Sequence, residues 1–377
     1  MLKATPLPLT PTLALALGLC SLNAVAQVRQ LPGLAGQGKE SSVAIDINAY
    51  GQVAGDIEDE DGRRRAVLYD RGLLELGTLG GRDSYTKGIN AEGVVVGSAQ
   101  DGDRRWRAFL YRKGEAMRDL GTLGGRSSYG TDINDAGHAV GFADTSDGYF
   151  HAFARGANGK MADLGTLGGN ISYAVGINNH GHVVGTAALP DNYRHAFLYR
   201  PGAGMTDLGT LGGRSSAASA INDAGLVAGT SETADRRWHA FLHDGQKMID
   251  LGTMIGYGNS YATGINAAGH VVGTILIGDE RRSFVYRDGK MRVHQAGNGL
   301  YLTNGINDDE LVIGATYLGQ RYAAAIMPSN MTPVVPKQGQ KLITIVSISI
   351  ATAIGLVILR RRYRGRFCRI SARRQAD

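Results

Sequence analysis

The 377-residue sequence has only two cysteines, Cys20 and Cys368, and both lie outside its long repeated middle. An exported domain without cysteine folds in an oxidising compartment with no disulfide chemistry, so its stability has to come from packing. An excess of one charge is also missing where it would matter. The formal net charge of +6 arises at the ends, from Lys3 and from eight Arg after Leu359 that face only Asp377. Between Gln27 and Lys341 there are 31 basic and 33 acidic residues, so the middle is near neutral. A nucleic-acid partner needs a basic footprint on the folded part, and this chain lacks one. No helix pattern runs through the middle, because a turn signal recurs roughly every ten residues. A glycine-rich phosphate loop is absent too: the LGTLGG runs lead from strand to strand, with no helix N-terminus to meet an anion. No cofactor is expected.

What is present is repetition. LGTLGG opens at Leu76, Leu120, Leu164 and Leu208, with a variant LGTMIG at Leu251, and each copy leads to an Ile-Asn pair and then to a run like Gly-Val-Val-Gly. The Asn of that pair falls at 48, 90, 134, 178, 222, 266 and 307, in steps of 42, 44, 44, 44, 44 and 41. Such a period means one supersecondary unit per repeat, each burying its apolar face against its neighbours. Within the third repeat the pattern predicts strands over 128–134, 138–143, 151–155 and 160–164, separated by turn residues such as Asp135-Ala136-Gly137. Their runs lack clean alternation, which suits sheets covered on both faces.

A linear solenoid and a ring of four-stranded blades both satisfy this pattern. The chain ends favour the ring. Val28 to Gly36 aligns with Met117 to Gly125, so the chain opens with a lone fourth strand. Tyr322 to Met327 fits a third strand with no fourth strand after it. Pairing the two closes a circle and leaves no open sheet edge. The expected fold is therefore an all-β, seven-bladed β-propeller over residues 27–327.

Both ends read as targeting segments. Residues 1–26 have a basic start at Lys3, an apolar centre from Leu13 to Leu19 and an Ala24-Val25-Ala26 cleavage site, as in a signal peptide. Cys20 would allow a lipoprotein reading, but bulky Leu19 precedes it. A Pro-containing linker over 328–341 leads to residues 342–359, an uncharged apolar run of transmembrane length, followed by an Arg-rich tail over 360–377. The positive-inside rule places that tail in the cytoplasm and the repeats outside, on a single C-terminal span. This end resembles the bacterial PEP-CTERM sorting signals, with Val335-Pro336-Lys337 standing where that pattern has Val-Pro-Glu-Pro. The missing Glu and second Pro leave a retained membrane anchor as the expectation.

His195-Ala196-Phe197-Leu198-Tyr199, echoed at His151-Ala152-Phe153 and His239-Ala240-Phe241-Leu242, together with DLGTLGG and the Ile-Asn run, resembles the HAF family of bacterial extracellular repeats. The likeness covers nearly all of residues 28–327. Other copies replace the His, at Arg107 and Ser283. The resemblance implies an exported or surface repeat protein and carries no catalytic residues with it.

In a four-strand meander the second-to-third turn and the fourth-to-first connection emerge on one face. There the sequence gathers Arg82, Arg126 and Arg214 from the LGTLGG loops, with Arg104-Arg105-Trp106, Tyr149, Tyr193 and Arg236-Arg237-Trp238 from the tips. Aromatic rings beside guanidinium groups suit a sugar or an anionic glycan. The plainer alternative is that the aromatics cover a blade edge and each Arg pairs with a nearby Asp. The acidic tip from Glu58 to Arg63 has ligand spacing that fits no known cation loop, so a solvated turn is expected. His151, His195 and His239 would sit ~10 Å outside the innermost strand and diverge, so no metal site is expected there. Asp46 and Asp132 depart from the repeat near the axis, which hints at a channel-mouth ligand or cation and is equally explained by drift. No singular pairing of carboxylates, or of nucleophile and base, marks an enzyme. The favoured reading is a non-catalytic binding or scaffold module for an envelope protein or glycan; the alternative is a propeller enzyme acting on polysaccharide.

Overall fold

The computed structural model describes residues 29–31, 40–156, 159–252, 256, 258–294, 300–319 and 321–329. The chain divides into two units, Met1–Val334 and Val335–Asp377. The signal peptide, the linker beyond Ser329, the apolar span, the Arg-rich tail and both cysteines lie outside the described residues. Among those described, no helix is long and apolar enough to cross a membrane.

Seven four-stranded antiparallel sheets stand as blades around an axis, with the first strand of each innermost. Six blades are consecutive meanders, and the seventh combines Leu302–Ile306, Leu311–Tyr317 and Tyr322–Pro328 with Arg29–Gln30 from the chain's start. Arg29 pairs with Ile326 and Gln30 with Ala325. The Leu31 amide then donates to the Ala324 carbonyl at 3.0 Å, as the Leu120 amide does to Ala108 at 2.9 Å, so the opening segment occupies a true fourth-strand position. The expected ring closure is present.

Strand limits differ from the expectation most at the first and fourth strands. In blade 3 the first strand begins at Gly124, four residues early, because the Gly-Gly of the LGTLGG run is already pressed against Asp144 and Thr145 of the second strand. The fourth strand shortens to Ala162–Asp163.

Each recurring motif is consumed by a specific contact of the frame. The Gly of the Val-Gly run lies opposite the Phe of His-Ala-Phe in blades 2 to 6, as Gly141 lies opposite Phe153. A Cβ at Gly141 would collide with the Tyr129 carbonyl and the Phe153 ring, so only glycine fits, and the ring covers the bare backbone. All five of these Phe side chains are fully buried. The Ser of the first strand reaches backwards: Ser84, Ser128, Ser172, Ser216, Ser260 and Ser42 each accept the amide of a third-strand Ala in the preceding blade.

The Ile-Asn pair explains itself most fully. Each of the seven buried Asn side chains accepts, at Oδ1, the amide four residues on, which closes its own turn. Its Nδ2 donates to the carbonyl of the same Asn in the next blade. These bonds run 3.0, 3.1, 3.0, 3.0, 3.0 and 3.4 Å from Asn48 round to Asn307, and Asn307 returns to Asn48 at 3.3 Å. A buried amide has to satisfy all its polar atoms, and this girdle does so while tying every blade to the next. The residue three after each Asn is Gly with positive φ in blades 1 to 6, and Glu310 at φ 60° in blade 7.

Candidate functional site

The frame also accounts for the histidines. His151 pairs with Asp163 at 2.7 Å, His195 with Asp207 at 2.8 Å and His239 with Asp250 at 2.9 Å, each within its own blade. Arg107 and Asp119, and Arg65 and Glu75, occupy the same two positions at 2.9 and 2.6 Å. The His of one motif and the Asp of DLG are thus two ends of one hydrogen bond. Strand register corrects one assignment: Arg282, opposite Ile275, takes the His position in blade 6, while Ser283 takes that of the Ala.

On the face where the LGTLGG loops meet the second-to-third turns, here the loop face, the candidate residues are spread around the ring. Arg104 and Arg236 sit at matching tip positions with φ 59° and 62°, exposed. Arg105 pairs with Asp103 at 3.3 Å and Arg237 with Asp235 at 2.5 Å. Arg82 donates to the Asp61 carbonyl at 2.9 Å, and Arg214 donates to the Tyr193 hydroxyl at 2.6 Å while lying over that ring. Tyr149 is exposed. Among the described residues, the guanidinium groups of Arg104, Arg126 and Arg236 have no ion-pair partner.

The two tryptophans lie three blades apart, so they do not form one site. Trp106 is wedged between first strands, 5.1 Å from the Tyr85 ring and 6.5 Å from Tyr129. Trp238 is also half-buried, and its amide donates to Asn259 Oδ1 at 3.0 Å.

Sequence reasoning missed the rings around Trp106. Tyr129 stacks on Phe142 at 4.8 Å and meets Phe150 at 5.9 Å; Phe142 and Phe150 lie 5.0 and 6.1 Å from Tyr173. The rings form an arc across blades 2 to 4 with a cation at each end. Lys87 Nζ is 5.8 Å from the Tyr85 ring centre, and the Arg194 guanidinium is 5.6 Å from that of Tyr173. Blade 5 has Ala217 and Thr230 where blade 3 has Tyr129 and Phe142, and blade 1 has Val43 and Asp56. The available signals were the recurring Tyr of the Ser-Tyr pair and the departures at Phe142 and Phe150. They needed strand register to show that these residues share one face.

Three further departures are acidic. Asp56 accepts the Thr86 amide at 2.7 Å and its hydroxyl at 3.2 Å. Burial pushes its carboxyl up to about 6, opposed by the Thr86 amide and by the Lys87 and Arg64 charges. Burial likewise lowers the Lys87 ammonium and raises the Tyr85 phenol. Near the axis, Asp46 accepts the amides of Ile47 and Ile89, both at 2.8 Å, and Asp132 those of Ile133 and Ile177, also both at 2.8 Å. Each carboxylate keeps a little solvent contact, yet dense protein raises Asp46 to about 6. Burial, and then the Asp46 charge, raises Asp132 to about 8. Both are committed to main-chain donors of two adjacent blades. Among the described residues, no three His, Cys, Asp or Glu gather as a metal would require.

The fold has solved counterparts. The β-propeller domain of the Trilobed protease from Pyrococcus furiosus, which has an open velcro topology, superposes with a TM-score of 0.56 at 11% identity, over 77% of this chain and 96% of that one. A Mycobacterium tuberculosis puromycin-hydrolysing peptidase matches with a TM-score of 0.55 at 14% identity, over 81% of this chain, which spans 52% of the peptidase. The BP39L lectin from Burkholderia pseudomallei matches at 0.50 and 6% identity, over 78% and 97%. At such identities the likeness establishes the propeller fold and nothing finer. No protein-family model and no curated protein matches the sequence.

Proposed function

We propose that this chain is an exported, membrane-anchored, HAF-like propeller that serves as a non-catalytic binding or scaffold module at the bacterial cell envelope, engaging a glycan or protein through its loop face. One observation carries the reading. The repeated polar groups are spent on the frame, whereas the guanidinium groups of Arg104, Arg126 and Arg236 stay exposed and unpaired on one face beside half-buried aromatics. Such groups suit carboxylate or sulfate partners. The fold is shared by peptidase domains and by a lectin, and so is compatible with binding without deciding the ligand.

The test uses the detergent-solubilised full chain on an array of bacterial envelope glycans and proteins. Changing Arg104, Arg126 and Arg236 together to Ala should abolish retention of whatever the native protein captures. Retention unchanged by the triple variant would overturn the loop face as the binding surface. The alternative, a hydrolase or lyase acting on envelope polysaccharide, draws on the raised Asp46 and Asp132 carboxyls. Release of new reducing ends from acidic polysaccharide, lost in Asp132→Asn, would favour it.

A further inference from the structure

The aromatic arc of blades 2 to 4 joins a recurring first-strand Tyr, at 85, 129 and 173 with Tyr261 at the same position in blade 6, to Phe142 and Phe150, which stand where other blades have other residues. In a propeller built by copying, packing between blades is solved once and reused, as the Phe-Gly pairs and Ser bridges show. Blade 5 packs with Ala217 and Thr230 in place of the rings of blade 3, so the rings are not a requirement of the frame. Moreover, Tyr85, Trp106, Tyr129 and Phe150 are half-buried rather than sealed; Trp106 and Phe150 open third strands toward the loop face, and Tyr85 and Tyr129 lie within first strands beside them.

We propose that this arc is a stacking platform for an acidic oligosaccharide, with sugar faces resting on Trp106, Tyr129 and Phe150 and carboxylate groups meeting Lys87 at one end and Arg194 at the other. The inference rests on the loop face being the binding surface and names the class of ligand it takes. Two physical features select that class. Pyranose faces present C–H groups that pack on aromatic planes, as saturated ligands do on Trp and Tyr. The cations are placed at the ends of a row of rings, so they favour a chain that carries charge at intervals over a neutral one. Asp56 near Lys87 is held partly protonated by its burial, which leaves the Lys87 end more cationic in mildly acid solution. Arg126 and Arg104 border the same arc without partners and add to the positive field.

Because the chain has only two tryptophans, Trp106 can report on its own arc. In full-length protein carrying Trp238→Phe, emission from Trp106 is followed while galacturonate or mannuronate hexamers are added, with maltohexaose as the neutral probe. The expected result is a saturable change with at least one acidic hexamer and at least tenfold weaker response to maltohexaose. Lys87→Met and Arg194→Met keep the side-chain stems and should together weaken binding at least tenfold. A silent Trp106 with both acidic hexamers, or equal responses to acidic and neutral probes, overturns the proposal. If Trp106 stays silent while the native chain is still retained on the array and loses retention with the triple Arg variant, only the arc is refuted. If the triple variant changes nothing, it is the wider loop-face reading that fails.

Discussion

Blades 2 to 5 and the closing seventh blade solve the same packing problem by different means. The first group keeps the motif, with Phe opposite Gly, Ser bridging back to the preceding blade, and girdle bonds of 3.0 to 3.1 Å. Blade 7 has Ala325 opposite Gly314, girdle bonds of 3.4 Å in and 3.3 Å out, and Tyr301 in place of the bridging Ser. It gathers Tyr301, Tyr317 and Tyr322 with centres 5.4 to 5.8 Å apart, and Arg281 of blade 6 lies over Tyr301. Where the hydrogen-bond frame loosens, ring packing and the Glu310 clamp take over. Glu310 binds Arg287 at 2.9 Å, Ser329 at 2.7 Å and His270 at 3.1 Å. That clamp offsets the strain of a non-glycine residue at positive φ. The lesson is that the repeat motif is a packing code, and a ring can be closed where the code is abandoned.

The largest way to break the comparison is Phe197→Ala. Emptying a fully buried ring site should cost about 3–5 kcal/mol by denaturant unfolding. The ring also shields Gly185, so a loss below about 1 kcal/mol would mean that the motif Phe is not what holds its blade. Next in size is the girdle. Asn178→Ala removes a good inter-blade bond and the acceptor of its own turn, at a cost of about 1–3 kcal/mol. Asn307→Ala, with longer bonds, should cost measurably less. Equal shifts in Tm would erase the distinction between the blades.

A third test is a pH slope localised on blades 1 to 4. Asp46 and Asp132 have carboxyls raised above the ordinary 3.8, so the folded chain holds protons that the unfolded chain has released. Their stabilising contribution is full below 3.8 and is lost as pH rises through about 6 for Asp46 and about 8 for Asp132, by at most ~1.4 kcal/mol per pH unit for each group. Asp132→Asn should flatten that slope in thermal unfolding, even though it loses one main-chain acceptor. A variant with the native slope would show that the carboxyl is ionised throughout. The neighbouring Gly88 is tied to the same feature, since a Cβ there would meet Asp132 Oδ1 at 2.9 Å.

Much of the fold was legible because the repeat spells out its contacts. The 44-residue step, the turn residues after each Asn, and the alignment of Leu31 with Leu120 were enough to predict seven blades and their closure. The candidate site was legible only in part. Exposed tip residues such as Arg104 and Arg236 could be placed on a face from the meander alone. Trp106 and Trp238 share a position in the repeat, and sevenfold rotation puts them in different wedges.

What the sequence determined by itself was periodicity, and with it the unit, the count and the way the ends meet, because identical local patterns dictate identical local structure. Tertiary structure alone decided which unlike residues become neighbours. Tyr85, Trp106, Tyr129, Phe142, Phe150 and Tyr173 span 89 positions of chain and touch as one arc only because three blades converge on a common axis.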